Sequence, residues 1–369
     1  MKVAIIHYWL VGMRGGERVL EELVRLYPQA DLFTHVADPA QLSDLINSRP
    51  ITESFIARLP GARKHYQKYL GLMPRALEEF DLSGYDLVIS SESGPAKGVI
   101  VPPGAVHVCY AHTPMRYIWD HYGAYSGRLG WAGRMYFSHL AHRLRVWDVT
   151  TAARVDRFVA NSSFVAGRIR RYYNRGADVV HPPVDLQAYR LPEAALPRDH
   201  YLFVSELVPY KRADLVIEAF RGLDRTLLVV GDGSQRAELE KTLPPNVTLL
   251  GRVPAGELPR LYQGARALVF PAEEDFGIVL VEAMACGTPV LAYGRGGTRD
   301  SVIGGRTGLF FDSQSPQAIR EAVARFEAAG AGAFDPAGIA AHAAGFGAER
   351  FRREFAAVAD QAVRSGPGG

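Results

Sequence analysis

Cysteine is scarce in this sequence of 369 residues, and the two present, Cys109 and Cys286, both lie inside apolar runs. Two such thiols cannot form a disulfide scaffold, and their setting favours buried free cysteines in a reducing compartment over a disulfide or a metal site. No apolar run approaches the ~20 residues that a membrane-spanning helix needs. The first residues, MKVAIIHYWL, lead directly into a strand pattern without the features of a signal peptide. These absences predict a cytoplasmic protein.

Two motifs common in nucleotide enzymes are also missing. No Asp-x-Asp pair occurs in the chain, so the paired carboxylates that often hold Mg²⁺ are absent from the sequence. The first strand-to-helix turn, MRGGERVL, is not Gly-x-Gly-x-x-Gly, which disfavours a nicotinamide-dependent oxidoreductase or epimerase. The missing Asp-x-Asp pair agrees with a site that needs no metal, and no other cofactor is expected.

Short apolar runs alternate with segments of helical periodicity along almost the whole chain. This alternation predicts an α/β fold with parallel sheets. The proline-rich segment 181–200 interrupts the pattern, which then restarts, so we predict two Rossmann-like domains facing across a cleft. The first comprises residues 1–190 and the second residues 191–346, with an amphipathic helix at 347–363. The Ala- and Gly-rich segment 328–345 is expected to be a loosely packed helix or loop.

The net charge is only +3, but it is unevenly distributed. Residues 1–185 contain 22 Lys and Arg against 17 Asp and Glu, whereas the rest contains 20 against 22. Three stretches without acidic residues, 58–75, 127–145 and 168–175, interleave basic and aromatic residues. Such stretches suit an anionic membrane surface or another polyanion. The alternative is a solvated helix face whose aromatic side chains lie in the core, and we favour this alternative for 168–175. Nucleic acid is not an expected partner. The candidate headgroup contacts are Arg63, Lys64, Lys68, Arg134, Arg143 and Arg145, with Trp131, Tyr136 and Phe137 at the interface.

The segment 271–302, PAEEDFGIVLVEAMACGTPVLAYGRGGTRDSV, carries the strongest chemical signal. A predicted strand ends before it, and Gly277 then lets the backbone approach a ligand where the next helix starts. The N–H groups of Phe276, Gly277 and Ile278 can hold a phosphate oxygen there. This pattern predicts a phosphate site at the start of that helix.

Two glutamates flank this helix start: Glu274 precedes the helix and Glu282 lies inside it. Carboxylates accept hydrogen bonds from the vicinal hydroxyls of ribose or a hexose, at about 1.5–3 kcal/mol each. A diphosphate-binding helix start between two hydroxyl-binding acids predicts a nucleotide-sugar site. The alternative is an ordinary helix with an acid near its N-terminus, which the flanking FG, EAMACGTPV and GG turns make a poor explanation.

Three further residues follow from their position. Lys211, in VPYKR, opens a helix just past a strand end, where its charge would neutralise a diphosphate and the leaving group. Gly15 and Gly16 lie in the first strand-to-helix turn, where backbone N–H groups can also contact a diphosphate. For Lys211 the alternative is an ordinary exposed lysine.

These motifs together resemble the retaining GT-B glycosyltransferases of family 4. The resemblance rests on EDFGIVLVE, EAMACGTPV, GRGGTRDSV and RTGLFF, and it extends over nearly the whole chain through HTPMRYIWDHY, NSSFVAGRI and VPYKR. It implies an N-terminal acceptor-binding domain, a C-terminal donor-binding domain and a last helix that returns to the N-terminal domain. It further implies transfer without metal, in which the leaving diphosphate takes the acceptor's proton.

The resemblance also implies individual roles. A histidine at the position of His112 lies near the transferred sugar, and LGRVP places Arg252 and Val253 near the nucleotide base. Arg116 is a candidate for binding an acceptor phosphate. Together these roles make His112, Lys211 and Glu274 the candidate catalytic residues.

The segments CYAHTPMRYIWD and LVPYKRADLVIEAF look most like mannosyltransferases of bacterial O-antigen and exopolysaccharide assembly. We therefore expect transfer of mannose from GDP-mannose to a glycan linked to a polyprenyl diphosphate, by an enzyme peripheral on the inner face of the membrane. The alternatives are a UDP-sugar-dependent enzyme with a soluble acceptor and a non-catalytic nucleotide-sugar-binding protein.

One departure from the family pattern concerns the segment before Lys211. The family commonly has an Arg in G-R-L-x-P-x-K, where this chain has Ser205 and Glu206. A carboxylate aimed at a diphosphate would repel it. Either Glu206 turns away, or Arg212 supplies the missing cation.

Overall fold

The computed structural model describes residues 1–127, 129–194, 196–330 and 332–367. The chain divides into two compact units: Met1–His181 together with the segment from Phe351 onward, and Pro182–Arg350. The predicted boundary after residue 190 lies further along the chain than this division, because Val184, Leu186 and Tyr189 pack into the core of the second unit.

The first unit is built on a parallel sheet of seven strands within the described residues, in the order β3-β2-β1-β4-β5-β6-β7. The order reverses between β1 and β4, which are neighbours. The strands are β1 Val3–His7, β2 Asp31–Thr34, β3 Ile51–Glu53, β4 Leu87–Glu92, β5 Val106–Ala111, β6 Arg157–Ala160 and β7 Asp178–Val179. The helices are α1 Gly15–Leu26, α2 Asp44–Asn47, α3 Ala62–His65, α4 Met73–Glu78, α5 Tyr122–Ser126, α6 Trp131–Ala152 and α7 Ser163–Tyr173.

The second unit has a parallel sheet of six strands within the described residues, in the order β10-β9-β8-β11-β12-β13. Here the order reverses between β8 and β11. The strands are β8 His200–Val204, β9 Thr226–Val230, β10 Val247–Gly251, β11 Ala265–Phe270, β12 Val290–Tyr293 and β13 Gly308–Phe311. The helices are α8 Ala213–Phe220, α9 Arg236–Leu239, α10 Leu258–Gln263, α11 Ile278–Ala285, α12 Thr298–Ser301, α13 Pro316–Ala329 and α14 Pro336–Ala343.

Both sheets are entirely parallel where the structure describes them, so the predicted α/β class with two Rossmann-like units is confirmed. In such sheets ligands bind beyond the carboxyl ends of the strands, where the strand order reverses. This rule directs attention to the segments after β1 and β4 and to those after β8 and β11.

The last helix, α15 Ala348–Ser365, supplies core residues to the first unit. Its buried side chains recur at helical spacing and pack with residues of β1, β5 and α1. Phe351 and Phe355 lie against the ring of Tyr110, at centroid distances of 5.6 and 6.1 Å. The helix is therefore an integral part of the first unit's core.

The segment 328–345 differs from its prediction as a loosely packed helix or loop. Asp335 accepts hydrogen bonds from the N–H groups of Ala337 and Gly338 and so caps α14. Ile339 and Ala343 are completely buried beside α11. The small residues that suggested loose packing instead allow α14 to approach α11 closely. Ala331 lies outside the described residues.

Candidate active site

The side chains of Lys211 and Glu274 meet where the strand order of the second sheet reverses. Lys211 ends a single 3-10 turn that follows β8, and Glu274 lies in the segment between β11 and α11. The Lys211 ammonium donates a hydrogen bond to Oε1 of Glu274, and both side chains are largely buried. A cation and a carboxylate, both predicted as catalytic, thus share one location.

Gly277 adopts a left-handed conformation, with φ of +86°, as the residue that precedes the first turn of α11. A Cβ atom there would lie 2.9 Å from Cδ1 of Leu280, so both conformation and space favour glycine. Phe276 is buried and Ile278 packs against the core, so neighbouring side chains hold this turn in place. The positive end of the α11 dipole lies at Ile278, four residues after Glu274 in the sequence.

A pair of glycines after β12 fixes the backbone of Glu274. The N–H of Gly297 donates to the carbonyl of Glu274 over 2.8 Å, and Gly296 bridges to Glu274 as in a parallel strand pair. A Cβ atom on Gly296 would lie 2.4 Å from the Glu274 carbonyl oxygen, and one on Gly297 would lie 2.1 Å from that of Asp275. The GG turn therefore positions the segment that carries the carboxylate.

Glu282 lies on α11, and its Oε2 accepts a hydrogen bond of 3.1 Å from the Tyr262 hydroxyl. Burial, reinforced by the adjacent Glu282 carboxylate, raises the pKa of Tyr262 well above its usual value, so this tyrosine is a fixed donor. Tyr262 is completely buried and packs edge-on against Tyr189. The carboxylate of Glu282 is thus oriented by a neutral hydroxyl.

Other predicted donor residues lie around the same edge of the second sheet. The Arg212 guanidinium makes two hydrogen bonds to Asp214, of 3.2 and 3.1 Å, so a carboxylate balances its charge. Glu206 is exposed, as is Arg252 at the end of β10, whereas Val253 packs against the core.

In the first unit, the predicted His112 belongs to a chain of four polar side chains. Its Nε2 lies 2.9 Å from Oγ of Ser91, which lies 3.0 Å from Nδ1 of His7. Nε2 of His7 in turn lies 3.6 Å from Oε1 of Glu17. His7 and Ser91 are directly paired in the register of β1 and β4, so their side chains project from the same face of the sheet.

Three of these four residues, His7, Ser91 and Glu17, do not appear among the residues predicted from the sequence. A signal is present, because His7 and Ser91 lie near the carboxyl ends of predicted strands and Glu17 lies in the first turn of α1. Their meeting depends on β1 and β4 being neighbours, which the Rossmann strand order supplies.

The glycines predicted at the first strand-to-helix turn open α1. Gly15 is the first residue of this helix, and a Cβ atom on Gly16 would lie 2.3 Å from the Tyr8 hydroxyl oxygen. The requirement for glycine at position 16 is therefore steric, set by a buried tyrosine that follows β1.

A buried ionic cluster holds the segment after β4. The ammonium of Lys97 contacts the carboxylates of Glu92, at 2.8 Å, and Asp148 on α6, and all three side chains are essentially inaccessible. Asp148 also accepts hydrogen bonds from Trp119 and Tyr173, at 2.8 and 2.9 Å. Removing one partner of such a cluster leaves an uncompensated buried charge, so the cluster fixes the arrangement of these segments.

The segment after His112 is held by arginines. Arg168 on α7 donates to Thr113 and Asp120 and is buried, and Arg116 lies 2.8 Å from Nε2 of His121. The prediction of a solvated face at 168–175 is therefore wrong for Arg168, and also for Arg175, which donates to three backbone carbonyls. Hydrogen bonds from both terminal nitrogens of Arg168 and from Arg175 offset part of the desolvation cost of burying these two charges.

Two of the candidate membrane contacts are engaged within the first unit. Arg145 donates to the carbonyl of Ile118 and lies over the ring of Tyr122, 4.7 Å from its centroid. Phe137 stacks on Tyr122 at 5.5 Å. Packing within the unit accounts for the positions of Arg145 and Phe137. We therefore assign these two residues a structural role in place of the predicted membrane contact. Arg128, within the same stretch, lies outside the described residues.

Several candidates are exposed as predicted. Trp131 is 79% exposed and Tyr136 is 66% exposed on α6. The basic residues Arg63, Lys64, Lys68, Arg134 and Arg143 are exposed as well.

The sequence also led to expectations about the cysteines, about membrane-spanning helices and about metal sites. Cys109 and Cys286 are both buried and not disulfide-bonded, as predicted. Among the residues that the structure describes, no helix combines the length and hydropathy of a membrane span. Over the same residues, no group of three or more His, Cys, Asp or Glu side chains is arranged to hold a metal ion.

Comparison with known sequences gives matches in both units. Residues 13–188 match the family model described as Glycosyltransferase Family 4, and residues 193–331 match that of Glycosyl transferases group 1. A D-inositol 3-phosphate glycosyltransferase of Streptomyces scabiei is 30% identical over 318 residues, covering 70% of this chain and 71% of the relative. A relative of the same name from Segniliparus rotundus is 30% identical over 293 residues, 65% of each chain.

An uncharacterized glycosyltransferase of Methanocaldococcus jannaschii is 35% identical over 127 residues, 33% of this chain and 36% of the relative. The match thus spans less than two thirds of the length of the relatives from S. rotundus and M. jannaschii.

Solved structures share the fold over nearly the whole chain. The Anabaena protein Alr3699/HepE, in complex with UDP-glucose, has a TM-score of 0.72 at 19% identity, covering 98% of this chain and all of that one. Sucrose-phosphate synthase from Thermosynechococcus elongatus has a TM-score of 0.72 at 18% identity, covering 99% of this chain and all of that one. At this identity the likeness establishes the fold, which is GT-B. With the two family models and the S. scabiei relative, it follows that the chain belongs to the GT-B glycosyltransferases of group 1 and family 4.

Proposed function

We propose that this protein is a retaining hexosyltransferase that takes mannose from GDP-mannose and delivers it to a lipid-linked glycan in bacterial surface polysaccharide synthesis. The observation that best supports the chemistry is the Lys211–Glu274 ion pair beyond the carboxyl ends of β8 and β11, just before α11. In this proposal the positive groups bind the donor diphosphate and the glutamate binds the sugar.

The proposed donor site uses the groups around the start of α11. The N–H groups of Phe276, Gly277 and Ile278 and the ammonium of Lys211 stabilise negative charge on the leaving diphosphate. Glu282 accepts hydrogen bonds from the ribose hydroxyls. Because Tyr262 already orients the Glu282 carboxylate, this interaction is preorganised and stabilises bound donor before reaction.

Glu274 has a different proposed role, since it precedes the helix. It accepts hydrogen bonds from the hexose hydroxyls, which strengthen as positive charge develops on the anomeric carbon. The bond between that carbon and the diphosphate oxygen breaks, and the bond to the acceptor oxygen forms on the same face. The leaving diphosphate takes the acceptor's proton, so the step requires no other base.

The remaining predicted residues have supporting parts in the proposal. Arg252 and Val253 pack near the base, and Gly15 and Gly16 keep the turn after β1 open to a phosphate oxygen. Arg212 is a weaker candidate for the diphosphate because Asp214 already balances its charge. Since Glu206 is exposed, repulsion of the diphosphate is reduced by solvent.

The first unit is the proposed acceptor side, with His112 near the transferred sugar and Arg116 near an acceptor phosphate. The exposed aromatics and arginines of α6 support a membrane-bound acceptor, because no acidic residue occurs in this helix before Asp148. A polyprenyl diphosphate would add negative charge that this surface attracts.

A UDP-sugar-dependent enzyme with a soluble acceptor is the second candidate. It is favoured by the Anabaena structures, which are described as complexes with UDP and UDP-glucose, and by relatives named for inositol 3-phosphate. The two candidates share the same donor-site chemistry and differ in base, sugar and acceptor.

A panel of GDP- and UDP-sugars tests the proposal. A donor that binds the folded state raises the melting temperature, and at 100 times its Kd it stabilises by about 2.7 kcal/mol. We expect the largest shift with GDP-mannose, together with sugar transfer that EDTA leaves unchanged. A larger shift and turnover with a UDP-sugar would replace GDP-mannose by the second candidate. Binding without transfer or hydrolysis would indicate a non-catalytic protein, and loss on chelation restored by Mg²⁺ would contradict metal-independent transfer.

A further inference from the structure

The four side chains Glu17, His7, Ser91 and His112 form a chain with one accessible end. Glu17, His7 and Ser91 are at most 3% exposed, whereas His112 is partly exposed. His112 is therefore the member that a ligand can reach, and the others influence a ligand only through it.

Glu17 is the charged end of this chain. Burial opposes its ionisation, but the nearby His7 and backbone N–H groups lower its pKa overall. The N–H of Arg14 donates to Oε2 over 2.9 Å, and the other oxygen, Oε1, is the one nearest His7. Oε1 lies 3.6 Å from Nε2 of His7, which is longer than a hydrogen bond, so the carboxylate acts on this nitrogen through its charge and favours a proton there.

The charge of Glu17 favours one direction for the two hydrogen bonds that follow, His7–Ser91 and Ser91–His112. A neutral His7 that directs Nε2–H toward Glu17 has a lone pair on Nδ1. The Ser91 hydroxyl then donates to that nitrogen, and its oxygen accepts from Nε2–H of His112. A neutral His112 with its proton on Nε2 has a lone pair on Nδ1. Burial lowers the pKa of His112 to about 3, so it is neutral near pH 7.

We propose that Glu17 and His7 act through Ser91 to hold His112 in the Nε2–H tautomer, so that Nδ1 accepts a hydrogen bond from a substrate hydroxyl. Glu17, His7 and Ser91 are positioning residues in this scheme. The role of Nδ1 rests on the proposed function, whereas the tautomer itself does not.

The same strand offers a matched control. Ser90 is also completely buried and lies 2.9 Å from Nε2 of a buried histidine, His107. Because neighbouring residues of a strand point to opposite faces, this second serine–histidine pair lies on the other side of the sheet. A Ser90→Ala change removes the same chemical group without touching the chain from Glu17 to His112.

The decisive variant is Glu17→Gln. Its amide oxygen can keep the bond from the Arg14 N–H, which leaves the NH₂ group facing Nε2 of His7. A donor at this place reverses the chain: His7 carries its proton on Nδ1, Ser91 donates to Nε2 of His112, and His112 carries its proton on Nδ1. His112 then offers a donor where it had an acceptor.

Nitrogen-15 correlation spectra of the full chain with labelled histidine, at pH 8, report the tautomer directly, and a His112→Gln variant assigns the signal. We expect Nε2–H for His112 in the wild type and in Ser90→Ala, and Nδ1–H in Glu17→Gln. Ser91→Ala breaks the chain, so we expect His112 in this variant to be a mixture of both tautomers. Adding Glu17→Gln to Ser91→Ala should leave that mixture unchanged. Circular dichroism and melting temperature identify any variant that fails to fold.

Turnover of the nucleotide-sugar should fall about tenfold in Glu17→Gln, as for loss of one hydrogen bond, and stay normal in Ser90→Ala. Nδ1–H in the wild type, or an unchanged tautomer in Glu17→Gln, would overturn the proposal. If the tautomers shift as expected but the wild type turns over no nucleotide-sugar, the relay stands and the proposed function fails.

Discussion

Lys211 and Glu274 form an ion pair although 63 residues separate them in the chain and they follow different strands. Their side chains are 16% and 14% exposed, so solvent screens the pair only partly. An arriving diphosphate would compete with Glu274 for the same ammonium. The ion pair holds the Lys211 side chain in place. In the proposed mechanism the lysine turns to the diphosphate when donor binds, and the carboxylate of Glu274 then accepts a hydrogen bond from a sugar hydroxyl.

The first prediction concerns this pair. Lys211→Ala and Glu274→Ala should each lower kcat by about 100-fold or more, because each removes charge stabilisation from the transition state. The double variant should be no slower than the slower single variant, since the two groups act together. Lys241→Ala, an exposed lysine in the same unit, is the control. Additive losses, or normal kcat in both single variants, would contradict the assignment.

The second prediction separates Glu282 from Glu274. Glu282→Ala should mainly raise the Kd of the nucleotide, because its ribose contact is present before reaction. Tyr262→Phe keeps the ring and removes only the hydroxyl that orients Glu282, so it should weaken nucleotide binding less than Glu282→Ala does. Calorimetric titration with the nucleoside diphosphate measures both. Unchanged Kd in Glu282→Ala would exclude the ribose contact.

The third prediction concerns the GG turn. Gly296 and Gly305 both have positive φ, of +73° and +78°, but only a Cβ on Gly296 would collide with the Glu274 carbonyl; none of the described atoms lies within 4 Å of one on Gly305. Gly296→Ala should therefore lower kcat at least tenfold, whereas Gly305→Ala should lower only stability, by about 1 kcal/mol. Steady-state kinetics and urea unfolding distinguish them. Equal kcat in the two variants would show that the turn does not position Glu274.

The fourth prediction concerns membrane binding by α6. Sedimentation with vesicles containing anionic lipid should retain the wild type at low salt and release it at high salt. Arg134→Glu with Arg143→Glu should weaken retention strongly. Lys241→Glu with Arg260→Glu changes the net charge equally on exposed residues of the second unit and should have little effect. If the wild type stays in the supernatant at low salt, a soluble acceptor is the better proposal.

The fifth prediction concerns acid stability. Burial lowers the pKa of His35 and of His107 to about 4, below the value near 6.5 in an unfolded chain. Between these values the unfolded chain binds protons that the folded chain does not, so the free energy of unfolding falls as pH falls. Each histidine contributes up to about 1.4 kcal/mol per pH unit. His107→Gln should therefore flatten this dependence between about pH 6 and pH 4.5, as measured by urea unfolding. An unchanged slope would show that His107 is not held neutral.

The sequence predicts the elements whose apolar runs are long and uninterrupted. The strands that end before His112 and Glu274, and the helix that begins after Gly277, were all found at their predicted places. Strands β6 and β12, of four residues each, were predicted as well. Other short strands were missed, because two to four residues carry little pattern to separate them from loops. These missed strands are β2, β3, β7 and β13.

Side-chain networks were harder to predict than strands. His7 and Ser91 are 84 residues apart and meet only because β1 and β4 pair in register. The cluster around Lys97 also joins distant segments, since Asp148 lies near the C-terminal end of the long helix α6. Composition shows that such residues exist, but their pairing depends on strand order and on the rotation of each helix.

The core of the first unit is built from two distant stretches of the chain, Met1–His181 and the last helix, α15. The second unit consists of one continuous segment, Pro182–Arg350, and its core clusters are formed from residues of that segment alone. The core of the first unit instead includes four side chains that are synthesised after the whole second unit, namely Phe351, Phe355, Ala359 and Ala362. During translation, apolar residues of β1, β5 and α1 therefore stay partly uncovered until α15 is made, and the core of the first unit is completed only after the whole second unit has been synthesised.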